Sequence, residues 1–379
     1  MTLQETMHWH TAPLYLIDGS SFIYRAFYAY PDLSRSDGFP TNALFITLRT
    51  MLKVIKQEHP EQACFIMDGK GPSFRQEIMA SYKAQRQKMP EPLTKQLEPL
   101  LQGIGLLGFP VHVAEDAEAD DVIATLCARH KQTRPVVIVG SDKDLRQCLD
   151  TSVVLWDPGQ RTKRLITLET FRAEEGLTPD QWPDYQALIG DSSDNIPGVP
   201  GVGPKTAKRL LARYPTLEDL QANFDHLSSS EQKKLGPHMQ DVFVYRELTR
   251  LKTDLQLKLH DLACQGFEQQ ELEEFLQAYE FKSLIKELEA ENKPADPRSP
   301  AEEGSQEEPI ETARLHQVPE LQAQQVGLVH SPEGQLLSWE HQEAEVLAQP
   351  DKMVQALSDC PFISVPSFKE LCEQNAAWE

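Results

Sequence analysis

Nine carboxylates in short, ordered groups are the residues most able to do chemistry in this chain. Asp18 closes "LYLID", Asp68 closes "ACFIMD", Glu118, Asp120 and Asp121 open "EADDVIATL", Asp142 and Asp144 lie in "GSDKD", and Asp191 and Asp194 lie in "GDSSDN". Singly, each has a plain structural reading: a turn residue or helix cap, or an acid that complements a helix N-terminus. Jointly they do not. Two carboxylates 4 Å apart repel by roughly 4 kcal/mol at an effective dielectric of about 20, so a convergent cluster calls for cations. Hard oxygen donors without His or Cys select Mg²⁺, with Mn²⁺ as substitute, rather than zinc. Two such ions a few Å apart are the usual arrangement for in-line attack on a phosphodiester.

Positive groups stand close by in sequence. "FRQEIMASYKAQRQKMP" (74–90) sets Arg75, Met79, Tyr82 and Arg86 at helical spacing, with Lys83 beside them. On one exposed stripe, such cations bind phosphates and the Tyr offers a base a stacking platform. Arg25 follows the first apolar run and can reach the same place. "GVPGVGPKTAKRLL" (198–211) reads as a glycine hairpin feeding a helix. Gly198, Gly201 and Gly203 would let backbone N–H groups approach phosphates, while Lys205, Lys208 and Arg209 add charge. A site of this kind holds duplex by its backbone without reading sequence.

The elements that must position these groups alternate. "LYLID", "ACFIMD", "VVIVGSD" and "SVVLWD" read as buried strands, and the helical patterns between them include one with Leu44, Leu48, Met51, Leu52 and Ile55 on a single face. Alternation implies an α/β domain with a parallel sheet. Ligands of such sheets sit beyond the carboxyl ends of the strands, where Asp18, Asp68 and Asp142 fall. From about residue 179 the pattern turns helical, with no strand expected through residue 290. Residues 292–312, dense in Pro, Glu and Ser, read as a disordered linker. Beyond them, "VGLVHSPEGQLLSWE" reads as strand, turn and strand, and "DKMVQALSDC" as a short helix.

Composition narrows the class. The net charge of -21 is unevenly spread: residues 291–379 hold 5 Lys+Arg against 17 Asp+Glu, so the first 290 residues, with 32 against 41, are only mildly acidic. Six scattered cysteines, without CxxC pairs, read as reduced thiols of a cytoplasmic protein. No signal peptide is apparent and no stretch approaches about 18 apolar residues, so no membrane partner is expected.

"LIDGSSFIYRAFYA", "MDGKGPSFRQEIMASYKAQR", "EADDVIATL", "GSDKDLRQCL" and "GDSSDNIPGVPGVGPKTA" together resemble the 5′ nuclease (flap endonuclease) domain found at the N-terminus of bacterial DNA polymerase I. The likeness runs from about Leu14 to Lys286. It implies a PIN-like parallel-sheet core with a helical arch over residues 1–178, and a helix-three-turn-helix DNA-binding region over 179–290. It also implies one metal site at Asp18, Asp68, Glu118 and Asp120 and a second at Asp121, Asp142, Asp144, Asp191 and Asp194, with Asp120 shared. Arg25, Arg75, Tyr82, Lys83 and Arg86 match residues that steer the 5′ strand and the scissile phosphate. Thr206 joins the hairpin residues that grip the duplex, and K⁺ is expected at that hairpin. The implied activity is structure-specific 5′ to 3′ exonuclease and 5′ flap cleavage, acting on branched or nicked DNA and on RNA primers. The implied partner is a DNA polymerase in cis or trans, with the chain itself a monomer. Residues 313–379 resemble the opening of a proofreading 3′ to 5′ exonuclease domain but lack its Asp-x-Glu pair, so a degenerate version is expected there. Two rival readings are a junction-binding module without turnover and a PIN-type RNase, which would need neither the hairpin nor the basic stripe.

Overall fold

The computed structural model describes residues 1–29, 33–69, 71, 73–159, 165–259, 261–266, 269–291, 327–330, 336–340 and 343–347. The chain divides into two compact units, Met1–Ala295 and Asp296–Glu379. The first is built on a six-stranded sheet in the order β3-β2-β1-β4-β5-β6. Its strands are β1 (Leu14–Asp18), β2 (Gln62–Met67), β3 (Val111–Val113), β4 (Val136–Val139), β5 (Val153–Trp156) and β6 (Leu165–Ile166). β1 to β5 pair in parallel, and β6 runs antiparallel to β5.

Alternation along each strand divides the core. Leu14, Leu16, Cys64, Ile66, Val136, Ile138, Val153 and Leu155 join one apolar cluster, which includes Val122, Ile123 and Leu126 of the Ala119–His130 helix. Tyr15, Ile17, Phe65, Val137, Val139, Val154 and Trp156 join the other, with Leu44, Leu48, Met51 and Leu52 of the Asn42–Glu58 helix. Burial on both faces explains why these strands read as continuous apolar runs. β3 and β6 escape sequence reading because three residues and two residues carry no periodicity to detect. The order reverses after β3, when the chain returns to place β4 on the far side of β1. That reversal opens a crevice between the carboxyl ends of β1 and β4.

Among the described residues 177–291 all the named elements are helical, as expected. In the second unit, β7 (Gly327–His330), β8 (Leu336–Glu340) and β9 (Glu343–Leu347) form an antiparallel meander. The expected linker and the "DKMVQALSDC" helix lie outside the described residues. No helix among the described residues is long and apolar enough to cross a membrane.

Candidate metal centre

Backbone geometry delivers the first carboxylates. Asp18 is the last residue of β1, and its Oδ1 accepts the Ser21 N–H at 3.0 Å, so it also caps the Gly19–Ala29 helix that leaves the sheet. Asp142 follows β4 across the reversal point. Asp120 is in the first turn of the Ala119–His130 helix, whose Ala119 N–H donates to Asp68 Oδ1 at 2.8 Å. One oxygen each from Asp18, Asp120 and Asp142 lies within 4.8 Å of the others.

A second trio forms beside it. Asp144, Asp191 and Asp194 likewise present oxygens within 4.8 Å of one another. Asp191 and Asp194 occupy a tight turn closed by reciprocal backbone bonds between Asp191 and Ile196, both 2.8 Å. Asp142 links the trios, since its Oδ1 accepts the Asp144 N–H at 2.9 Å.

The electrostatics fit divalent cations. Burial, followed by the charges of Asp142 and Asp68, pushes Asp18 from an ordinary 3.8 up to about 7. Burial and Asp142 push Asp144 up to about 7. Asp120 is raised well above its ordinary value by burial and then by Asp18 and Asp142. Asp191 differs: burial opposes its ionisation, but Lys143 at 2.8 Å and Ser193 hold it below the ordinary value. Clustered carboxylates that resist ionisation, with only oxygens as donors, match a hard divalent ion.

This arrangement ties stability to pH. Asp18 and Asp144 titrate near 3.8 when unfolded and near 7 when folded, so between those values the folded, cation-free chain holds the extra protons. Its stability therefore declines as pH rises from about 4 to about 7, and a bound cation offsets that loss. Mg²⁺ is expected to raise the melting temperature more at pH 8 than at pH 5, measured by differential scanning calorimetry. Equal shifts at the two pH values would disconnect the trios from metal binding.

The remaining expected residues divide. Glu118 accepts from Lys83 Nζ at 2.7 Å and from the Tyr82 hydroxyl at 3.3 Å, and with Asp68, Lys83 and Arg86 it lines a cavity of about 170 Å³. Asp121 does not reach either trio. It is wholly buried, and its two oxygens accept from Arg75 Nη1 and Nη2 at 2.7 and 2.8 Å and from the Lys252 N–H at 2.9 Å. Helical geometry is the reason: consecutive residues Asp120 and Asp121 point about 100° apart, so only one can face the crevice.

The basic stripe is also rebuilt. Helix covers only Phe74–Ile78, turns follow from Ala80 to Gln85, and Lys83 adopts a φ of 54°. Arg75 and Tyr82 are 1% and 2% exposed, so neither offers an open phosphate or stacking surface. The Tyr82 hydroxyl donates to Asp194 Oδ2 at 3.0 Å, and Arg86 Nη2 reaches Asp194 Oδ1 at 2.6 Å. Pairing of Arg75 with Asp121, of Lys83 with Glu118 and of Arg86 with Asp194 takes the place of the helical spacing.

Arg25 reaches the mouth of the crevice, where its charge acts on Asp18. Its fork is held by Asp157 at 2.5 and 3.1 Å, and Ser141 Oγ accepts from Nη1 at 3.3 Å. Asp157 was missed in sequence although it closes "SVVLWD" just as Asp18 closes "LYLID". At the hairpin, Gly198 and Gly201 have φ of 66° and 78°. A side chain on Gly198 would collide with the backbone of Ile189 and Gly190, so this glycine serves the turn's own packing rather than phosphate access. Gly201 and Gly203 are exposed, and Gly203 is the N-cap of the Pro204–Arg213 helix. That helix buries Ala207, Leu210 and Leu211 and leaves Lys205 and Arg209 in solvent, with Thr206 and Lys208 half-buried.

An oxygen-only pair of acidic trios at the switch point of a parallel sheet, edged by guanidinium and ammonium groups, belongs to enzymes that cleave phosphodiesters with divalent metal. Residues 13–176 match the family model for a 5′-3′ exonuclease N-terminal resolvase-like domain, and residues 177–270 match that for a 5′-3′ exonuclease C-terminal SAM fold. A 5′-3′ exonuclease of Aquifex aeolicus is 37% identical over 289 residues, covering 76% of this chain and 98% of that protein. The DNA polymerase I of Pseudomonas aeruginosa is 38% identical over 311 residues, 79% of this chain but 33% of the polymerase. The chain thus spans about a third of the polymerase relatives.

Among solved structures, zinc-bound T5 5′-exonuclease superposes with a TM-score of 0.52 at 21% identity, covering 64% of this chain and 90% of that one. The catalytic core of Rad2 with DNA substrate gives 0.53 at 16%, covering 74% and 92%. Both share the fold, a PIN-like α/β core with a helical region. The chain belongs to the 5′-3′ exonuclease family and is a metal-dependent 5′ nuclease.

Proposed function

We propose that the protein cuts DNA strands with free 5′ ends at the junction of single and double strand, releasing 5′ flaps and RNA primers during replication and repair in the cytoplasm. The observation that carries this is the pair of trios, Asp18, Asp120 and Asp142 beside Asp144, Asp191 and Asp194. Two Mg²⁺ ions, or Mn²⁺ in their place, would be held there with Asp68 and Glu118 at the rim. Bound, such ions supply an activated water and neutralise charge on the phosphate.

The chain's own groups do the rest. Arg25, fixed by Asp157, holds a phosphate oxygen at the crevice mouth, where a guanidinium matches its geometry. Lys83 and Arg86, paired here with Glu118 and Asp194, would contact the phosphates of the 5′ strand. Tyr82 orients Asp194 through its hydroxyl and Arg75 locks the Ala119–His130 helix; both therefore position the centre from behind. Gly201, Gly203, Lys205, Thr206 and Lys208 grip the duplex backbone, with K⁺ joining at the hairpin, and Gly198 shapes the turn. The chain acts as a monomer, with a polymerase in cis or trans filling the gap it leaves.

A labelled duplex bearing a 5′ flap, incubated with Mg²⁺ and then with EDTA, tests this reading. The flap is expected to be released near the junction only with the metal. Tight binding without any cut in Mg²⁺ or Mn²⁺ would leave a binding module instead.

A further inference from the structure

Between the second trio and the glycine hairpin lies a cavity of about 240 Å³, whose walls include Lys143, Arg146, Glu175, Tyr185 and Gln186. Gln186 Nε2 donates to Asp144, and Lys143 pairs with Asp191 at 2.8 Å, so the cavity adjoins the metal centre directly. One of its wall residues, Glu175, is a carboxylate shared by two cations. Arg146 Nη1 donates to Glu175 Oε1 at 2.8 Å and Lys208 Nζ to Glu175 Oε2 at 2.7 Å.

Three separate elements meet there: the 3-10 helix Asp144–Cys148, the last residue of the Leu168–Glu175 helix, and the Pro204–Arg213 helix. Trp182 and Tyr185 form the floor, with the Arg146 guanidinium 5.0 Å from the Trp182 ring centroid and Lys208 Nζ 5.8 Å from that of Tyr185. Arg146 and Lys208 remain 25% and 30% exposed, so a ligand from solvent can reach both.

We propose that Arg146 and Lys208 bind a backbone phosphate of the duplex next to the cleaved junction, and that Glu175 occupies the phosphate's place until DNA arrives. A phosphodiester presents two non-bridging oxygens much as a carboxylate presents its two, and a guanidinium with an ammonium satisfies either. Among the charged residues that line the cavity, Lys143 and Arg146 outnumber Glu175, and Lys208 reaches Glu175 from the Pro204–Arg213 helix. Through Arg146 the cavity extends the grip of the Pro204–Arg213 helix toward the centre that cuts. This site rests on the nuclease reading above.

The test is a binding titration of the full chain with a labelled 5′-flap duplex in EDTA at several salt concentrations, beside cleavage in Mg²⁺. Arg146→Gln is expected to weaken binding about tenfold and to lower the salt slope by about 1, the signature of one lost phosphate contact. Arg146→Lys should keep most of the slope. Glu175→Gln removes the competing carboxylate and should tighten binding about threefold or more. An unchanged slope in Arg146→Gln, or unchanged or weaker binding in Glu175→Gln, would overturn the site and leave Glu175 as a brace between helices. Melting curves of each variant separate loss of fold from loss of contact. Failure of the wild type to bind or cut the flap would overturn the nuclease reading instead.

Discussion

Asp142→Asn is expected to slow strand cleavage by on the order of 10³-fold or more while leaving DNA binding near the wild-type level. Asp142 stands in the first trio and its carboxylate also supports Asp144 of the second, through the 2.9 Å bond to the Asp144 N–H. Losing one charge there disturbs both. Asn keeps the size and one acceptor oxygen, so the crevice keeps its shape. The proposed duplex grip is elsewhere, on the Pro204–Arg213 helix. Asp120→Asn should behave alike, because Asp120 faces the same oxygens from the Ala119–His130 helix. Single-turnover cleavage at saturating enzyme, with the dissociation constant measured in EDTA, separates the two effects. A near-full rate in either variant would remove that residue from the metal set.

Arg75→Ala is expected to act on stability. Its guanidinium spans both oxygens of Asp121 and also donates to the Leu248 carbonyl at 2.7 Å and the Arg250 carbonyl at 3.0 Å. Asp121 is wholly buried, so truncating Arg75 leaves an unpaired charge where water cannot follow. Breaking a buried pair from one side costs roughly 3–5 kcal/mol, which lowers the melting temperature by roughly 10 °C in a domain of this size. Thermal melts without metal check this. A variant that melts with the wild type but cleaves slowly would return Arg75 to the phosphate-steering role that the resemblance implied.

The contrast between Asp120 and Asp121 shows what sequence could reveal. The strands β1, β2, β4 and β5 were legible because burial on both sheet faces demands unbroken apolar runs, and of the aspartates read at their ends Asp18 and Asp142 share a trio while Asp68 does not. The motif around Asp120 and Asp121 named both residues but could not say which faced inward, since that depends on the rotation of a helix against the sheet. For Arg75 and Tyr82, spacing suggested an exposed helical stripe, yet the nearby carboxylates outweighed local helix preference. Asp157 carried the same strand-end signal as Asp18, but its pairing with Arg25, like that of Glu175 with Arg146 and Lys208, joins residues distant in the chain. Pairs joined only by tertiary structure leave no local signal.

The second trio is assembled from two stretches of chain: Asp144 comes just after β4, whereas Asp191 and Asp194 come from the turn that precedes the glycine hairpin. A polypeptide leaving the ribosome folds from its N-terminus. Asp18, Asp120 and Asp142 are thus synthesised first, although the apolar clusters on both faces of their sheet are completed by residues as late as Leu262 and Leu288. Cutting competence has to wait until Ile196 has emerged and closed its bridge to Asp191. A half-made chain therefore lacks Asp191 and Asp194, two of the three carboxylates of the second trio.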